Sequence, residues 1–231
     1  MFFDWWLTPR HHLLPPKVTP MKSYLYSYLT LISIISAVGC FDTTNTTGKL
    51  EDFGTVGEFS FLERNGEQIS QENLKGKVWL ASFVFTRCTG PCPQVCATLA
   101  RLQEKLKDVP DLRIVTFTVD PERDNPKELN LFAENFRADP KRWFFLTGKE
   151  DDLHQLIKEK FHLAVGHNSP EQSKPGNEFI HSPRIVLIDK VGHIRGYFEG
   201  TPTTPEGAPV DKFEDKIKAL ESHILTLARE K

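Results

Sequence analysis

VWLASFVFTRCTGPCPQVC, residues 78–96, is the stretch whose reading decides the fold of this 231-residue chain. Val78 to Phe85 is a near-continuous apolar run, the pattern of a strand covered on both faces. From Pro93 onward the apolar residues Val95, Leu99, Leu102 and Leu106 fall at i, i+4, i+7 and i+11, which is one face of a helix. The turn between strand and helix carries Cys88 and Cys92, and Cys96 follows inside the predicted helix. Thiols at a strand-to-helix turn sit at the positive end of the helix dipole. Thiolates are stabilised there and become good nucleophiles and ligands for soft metals.

Working outward, Arg113 to Val119 reads as a second core strand that stops at Asp120-Pro121. Asn125-Pro126-Lys127-Glu128 is a helix start, with Asn as N-cap, Pro at the first position and Glu at the third, and the helix is expected to reach about Phe136. Trp143 to Leu146 is a short strand, and Lys149 to Lys160 another helix. Residues 163–180 are rich in Gly, Pro and Ser and read as an excursion from the core. Arg184 to Asp189 and His193 to Phe198 flank Val191-Gly192, the strongest hairpin signal in the chain. Asp211 to Arg229 closes the sequence with an amphipathic helix. Before the central run, Phe59 to Leu62 with Asn65-Gly66 predicts a small N-terminal hairpin. Strand–helix–strand–helix followed by a hairpin and a helix is the order of a thioredoxin-like α/β fold. The first half would be a βαβ unit with parallel strands, within a mixed sheet flanked by helices. The excursion then becomes an inserted loop before the strand that follows His181.

The length and the 39% hydrophobic content suit one domain of roughly 180 residues, here 55–231, once the N-terminus is set aside. A net charge of −2 lacks the excess of basic residues that a nucleic-acid binder shows. Tyr24 to Val38 is apolar and uncharged, follows Met21-Lys22, and ends in Ala37-Val38-Gly39-Cys40, so residues 21–39 read as a secretory signal. Cys40 directly after Gly39 has the form of a lipoprotein site, with Cys40 as the acylated first residue; an uncleaved membrane anchor is the alternative. Both place the domain outside the cytoplasmic membrane of a bacterium. Residues 1–20 fit neither pattern and read as an upstream extension. Residues 40–54 are polar and Thr-rich, the composition of a tether.

Several separate signatures resemble the Sco/SenC family of copper-binding assembly factors: Leu74-x-Gly76-Lys77, Phe85-Thr-x-Cys88-x3-Cys92-Pro93, Val119-Asp-Pro-Glu-Arg-Asp124, Trp143-x2-Leu-Thr-Gly148, and His181-Ser182 before Arg184. The resemblance covers residues 55–229. Where that family usually continues Cys-Pro-Asp-x-Cys-Pro, this chain has Cys-Thr-Gly-Pro-Cys-Pro, and Cys96 is a further departure. The resemblance implies copper held by Cys88, Cys92 and His181. It also implies delivery of that copper to, or reduction of the cysteines of, the binuclear copper centre of cytochrome c oxidase. The partners would be the subunit bearing that centre, other copper carriers and thiol reductants, with the membrane reached through the N-terminal lipid or anchor. Two thiolates and one imidazole suit both Cu(I) and Cu(II). The second reading is an extracytoplasmic thiol–disulfide oxidoreductase in which Cys88 and Cys92 are the redox-active pair.

Three roles stay open for Cys96: a third thiolate, a resolving cysteine, or a small buried hydrophobe. A Cys3His zinc site from Cys88, Cys92, Cys96 and His181 is chemically admissible. Asp120 is expected near the same rim, orienting a ligand or docking a partner, with simple turn chemistry as the alternative. Asp124 reads as turn and helix-start chemistry. His154, His162, His167, His193 and His223 read as surface residues. Pro183, just before the third core strand, is expected to follow a cis peptide.

Overall fold

The computed structural model describes residues 50–204 and 207–230. The expectations for the signal, for Cys40 and for most of the tether fall outside those residues.

The N-terminal hairpin forms as expected, β1 (Ser60–Glu63) pairing antiparallel with β2 (Gln68–Ser70). Its turn uses Gly66 at φ +90°, a backbone region that glycine enters without a steric penalty. The central run is β3 (Val78–Val84), buried at every position. It leads through the cysteine turn into α1 (Cys92–Lys105), and β4 (Leu112–Thr118) returns parallel to β3. Next come α2 (Pro126–Glu134), β5 (Trp143–Thr147) parallel to β4, and α3 (Glu150–Glu159). The Asn125 side chain caps α2 as the sequence requires, accepting from the N–H groups of Lys127 and Glu128. That helix stops two residues short of Phe136, because Asn135 caps its end and Arg137 turns to φ +51°.

Residues 163–180 are more ordered than their composition implies. β6 (Val165–His167) pairs antiparallel with β7 (Phe179–His181), making a two-stranded sheet of its own. The chain then enters β8 (Arg184–Ile188), which pairs antiparallel with both β3 and β9 (Ile194–Glu199). The final helix is α4 (Phe213–Arg229); it begins two residues later than expected because Lys212 is left-handed at φ +51°. The cis expectation at Pro183 is corrected: among the described residues every peptide is trans. β7 reaches β8 from a separate sheet lying beside the core, so the chain passes from one to the other without the sharp reversal that a cis bond would make.

The main sheet has the order β2-β1-β5-β4-β3-β8-β9, with parallel pairing at its centre and antiparallel pairing at both sides. This is the mixed α/β architecture predicted. Its centre is aromatic: Phe83 stacks on its ladder partner Phe117 at 5.8 Å, and Phe161 meets Phe83 edge-on at 5.0 Å. Some buried polar groups of these strands pair across the sheet, while the indole N–H of buried Trp79 has no partner among the described residues. Ser82 and Thr116 share a hydrogen bond of 2.9 Å, and the indole N–H of Trp143 donates to Thr116 at 2.8 Å. The cysteine turn leaves the carboxyl end of β3, beside the carboxyl end of parallel β4. Ligand sites of open α/β sheets collect at that rim.

Candidate metal and thiol site

The Phe85–Cys92 turn is held on two sides. From the core, the fully buried Asp124 accepts from Thr86 N–H (3.0 Å), Thr86 Oγ1 (2.6 Å) and Thr118 Oγ1 (2.6 Å), tying the ends of β3 and β4 together. From the other side, Thr89 N–H donates to the carbonyl of Gly176 at 3.0 Å. Gly176 has φ +84°, and a Cβ there would lie 2.4 Å from Thr89 Cγ2 and 3.0 Å from the Arg87 carbonyl oxygen. Only glycine fits where the excursion lies down on the cysteine turn.

This framework brings Cys88, Cys92 and His181 together. Cys88 sits in the turn, Cys92 is the first residue of α1, and His181 is the last residue of β7. Nε2 of His181 lies 3.4 Å from Cys92 Sγ and 3.9 Å from Cys88 Sγ. One donor atom from each of the three falls within 4.8 Å of the others, and no other His, Cys, Asp or Glu group of this kind occurs among the described residues. Both cysteines are free thiols and buried, Cys92 completely. The ring of His181 stands edge-on to Phe85 at 5.5 Å, so the last residue of the apolar run positions the imidazole. A surface groove lined by Pro91, Phe179, Ile180, His181 and Pro183 gives access from solvent.

The two thiols are electrostatically unequal. The hydrogen bond with Cys92 pulls Cys88 from 9.0 to about 4; the His181 contact and the N–H groups of Cys92 and Gly90 add to it against the opposing cost of burial. Burial, followed by the shared proton and the charge on Cys88, pushes Cys92 well up. The two shifts run in opposite directions, which makes Cys88 the more acidic thiol of the pair. Burial also pushes Cys96 up, and its sulfur is not among the three converging donors. It packs inside α1 as a fully buried small residue.

The remaining expectations divide. Asp120 is at the rim, but its carboxylate bonds Arg123 and is not one of the three donors. Asp124 does more than start a helix, as its three hydrogen bonds to the strand ends show. His154 is not a surface residue. It is 7% exposed, and its Nε2 bonds the carbonyl of Val119 at 2.9 Å. The signal was its position on α3, one residue after Leu153 and three before Ile157, on the face that the helix buries. His223 is only partly exposed and lies against Phe198, with burial lowering its basicity. His162 is exposed, while His167 and His193 pair with Glu150 and Asp52 at the surface.

The SCO1/SenC family model matches residues 47–215, a span that contains all three converging residues. The SCO1 protein homolog of Bacillus subtilis (strain 168) is 37% identical over 152 residues, 65% of this chain and 76% of that protein. Among solved structures, a SCO1/SenC family lipoprotein from Bacillus anthracis str. Ames is similar at 30% identity. Its TM-score is 0.64, over 75% of this chain and 94% of that one. BsSco, described as a member of the Sco family of cytochrome c oxidase assembly proteins with a disulfide switch, is similar at 31% identity and TM-score 0.64, over 79% and 99% of the two chains. With a match over most of its length and the thiol and imidazole donors assembled within it, the chain belongs to the SCO1/SenC family.

Proposed function

We propose that the chain takes up copper as cargo on Cys88, Cys92 and His181 and serves the assembly of cytochrome c oxidase from outside the cytoplasmic membrane. The observation that carries this is the convergence of two sulfurs and one imidazole nitrogen within 4.8 Å at the strand rim. Soft thiolates suit Cu(I), and adding an imidazole makes the set acceptable to Cu(II), so one site can hold either state. Zinc would also accept two thiolates and an imidazole, and competition with Zn(II) in a copper titration measures that preference. BsSco supports the assembly role by its family description.

A second reading is favoured by one specific observation, the unequal pair of thiols. Cys88, the more acidic thiol, can attack a disulfide of an exported protein as its thiolate and form a mixed disulfide while the departing sulfur takes a proton. Cys92, once deprotonated, then attacks the Cys88 sulfur and expels the partner's second thiol. Two electrons pass to the partner, and Cys88–Cys92 is left as a disulfide.

His181→Ala separates the two. It is expected to cut Cu(II) affinity at least about a hundredfold, because an incomplete ligand set remains, while thiol exchange with a model disulfide continues within a few fold. Unchanged copper affinity in that variant would remove the imidazole from the site and leave the oxidoreductase reading. The tether is proposed to end in a lipid on Cys40, a reading supported by the B. anthracis relative, itself described as a lipoprotein. Mass spectrometry of the mature protein is expected to find acylated Cys40 as residue one; an N-terminus upstream of it would overturn the lipid.

A further inference from the structure

The imidazole of His181 is held less directly than either sulfur. Its Nδ1 is buried, and among the described residues no group hydrogen-bonds to it. Histidines that bind metals commonly have this second nitrogen fixed by a carboxylate or carbonyl, which sets the plane of the ring. Here the ring is set by the backbone of β7 and by the edge contact with Phe85. β7 belongs to a two-stranded sheet that shares no ladder with the main sheet. The position of His181 therefore depends on what joins that small sheet to the core.

Besides the Thr89–Gly176 bond and the packing of Phe179 against Phe85 at 5.4 Å, the joint includes an ionic chain. Asp120, just past the end of β4 and 2% exposed, accepts from Nε of Arg123. Nη1 of the same guanidinium donates to Glu178 at 2.9 Å, and Glu178 is the residue immediately before β7. The guanidinium also lies 5.9 Å from the ring centroid of Phe179, the first residue of that strand. One planar fork thus grips a buried carboxylate of the core and a carboxylate of the arm together, a geometry that an ammonium group does not offer. Among the described residues, the arm's further ionic contact, His167 with Glu150, is more exposed and is charged only when His167 is protonated.

We infer that Arg123, acting through Glu178, is a positioning residue that holds His181 over the Cys88–Cys92 pair. This rests on the copper reading above and extends it to residues that touch neither the sulfurs nor the imidazole.

Glu178→Gln isolates the joint. It keeps the side-chain size and leaves Arg123 on Asp120, so no buried charge is abandoned. In the full-length chain Cu(II) affinity is expected to fall about tenfold, the low end for changes to groups that support metal ligands, with a changed thiolate-to-copper visible band. Cu(I) affinity should move less than about twofold, since the sulfurs dominate for the soft ion. Arg123→Lys should fall between wild type and Glu178→Gln. Built onto His181→Ala, Glu178→Gln should add nothing, because the placement of a missing imidazole cannot matter. Without metal, exchange of the Thr89 amide, which bridges to Gly176 across the same joint, should speed up in Glu178→Gln. An additive loss in the double variant overturns the inference. Unchanged Cu(II) affinity in Glu178→Gln, where His181→Ala still loses it, overturns the inference and leaves the copper reading standing. If His181→Ala itself keeps full affinity, the copper reading fails and the inference falls with it.

Discussion

Cys92→Ser is expected to lower copper affinity at least about a hundredfold, beyond the range for changes that only disturb supporting groups, and Cys88→Ser likewise. Cys96→Ser, one helical turn further along α1, is expected to leave affinity within about twofold. Cys88 and Cys92 supply the sulfurs that face Nε2 of His181, and losing either leaves a set unfit for a metal that needs geometry as well as softness. Cys96 lies about 6 Å deeper along the helix axis, with a thiol whose ionisation burial opposes. Its replacement introduces a hydroxyl into a fully buried position, so the cost should appear as stability, about 1–2 kcal/mol, rather than as affinity. Titration of the reduced single variants with Cu(I), and with Cu(II) followed by visible absorbance, checks the ordering. Loss of binding in Cys96→Ser with full binding in His181→Ala would replace this site by a three-thiol centre.

The largest stability effect is expected at a residue that touches no metal donor. Asp124→Ala strips the partners from Thr86 N–H, Thr86 Oγ1 and Thr118 Oγ1, and leaves a hole where the strand ends meet. Each buried group left unpaired costs about 1–3 kcal/mol, so a total near ~3 kcal/mol is expected after partial relaxation. For a domain of this size that lowers Tm by about 6–12 °C. Asp124→Asn, which keeps an acceptor and offers a donor that the hydroxyls can accept, should lose less. The pH dependence has a definite sign. Burial raises Asp124 above 3.8, so the folded state binds the proton more tightly than the unfolded chain. Stability from this group therefore falls as pH rises from the ordinary carboxylate value through the folded one. The advantage of wild type over Asp124→Asn should accordingly shrink across that window. Urea unfolding at several pH values measures both effects; a loss below about 1 kcal/mol for Asp124→Ala would mean that water replaces the carboxylate at little cost.

The elements legible in the sequence were those whose pattern extends over many residues. The all-apolar run of β3, the helical spacing from Val95 to Leu106, the Asn-Pro cap of α2 and the glycine-centred hairpins each state their own conformation. Of the three groups that converge, Cys88 and Cys92 stood out by their spacing in one turn, whereas His181 was singled out by the family resemblance. The arm was not legible. Strands of three residues carry too few alternations to show a period, and Gly and Pro around them signal only turns. Nor could sequence reveal that Asp124 faces inward, because the Asp-Pro-x-x-Asp string is compatible with a solvated turn. The bond from Arg123 to Glu178 joins positions 55 apart, and no local rule connects them.

That the sulfurs and the imidazole come from distant parts of the chain also sets the timing of the proposed metal site. Cys92 and His181 are 89 positions apart. At a synthesis rate of about 5–20 residues per second, roughly 4–18 seconds separate the appearance of the thiols from that of the imidazole. In the folded domain His181 faces the sulfurs where β8 pairs with β3 and the arm lies on the cysteine turn. A chain made only as far as α1 exposes the thiols without this imidazole. The three donors converge only in the folded domain, so under the copper proposal the binding of Cu(II) follows folding.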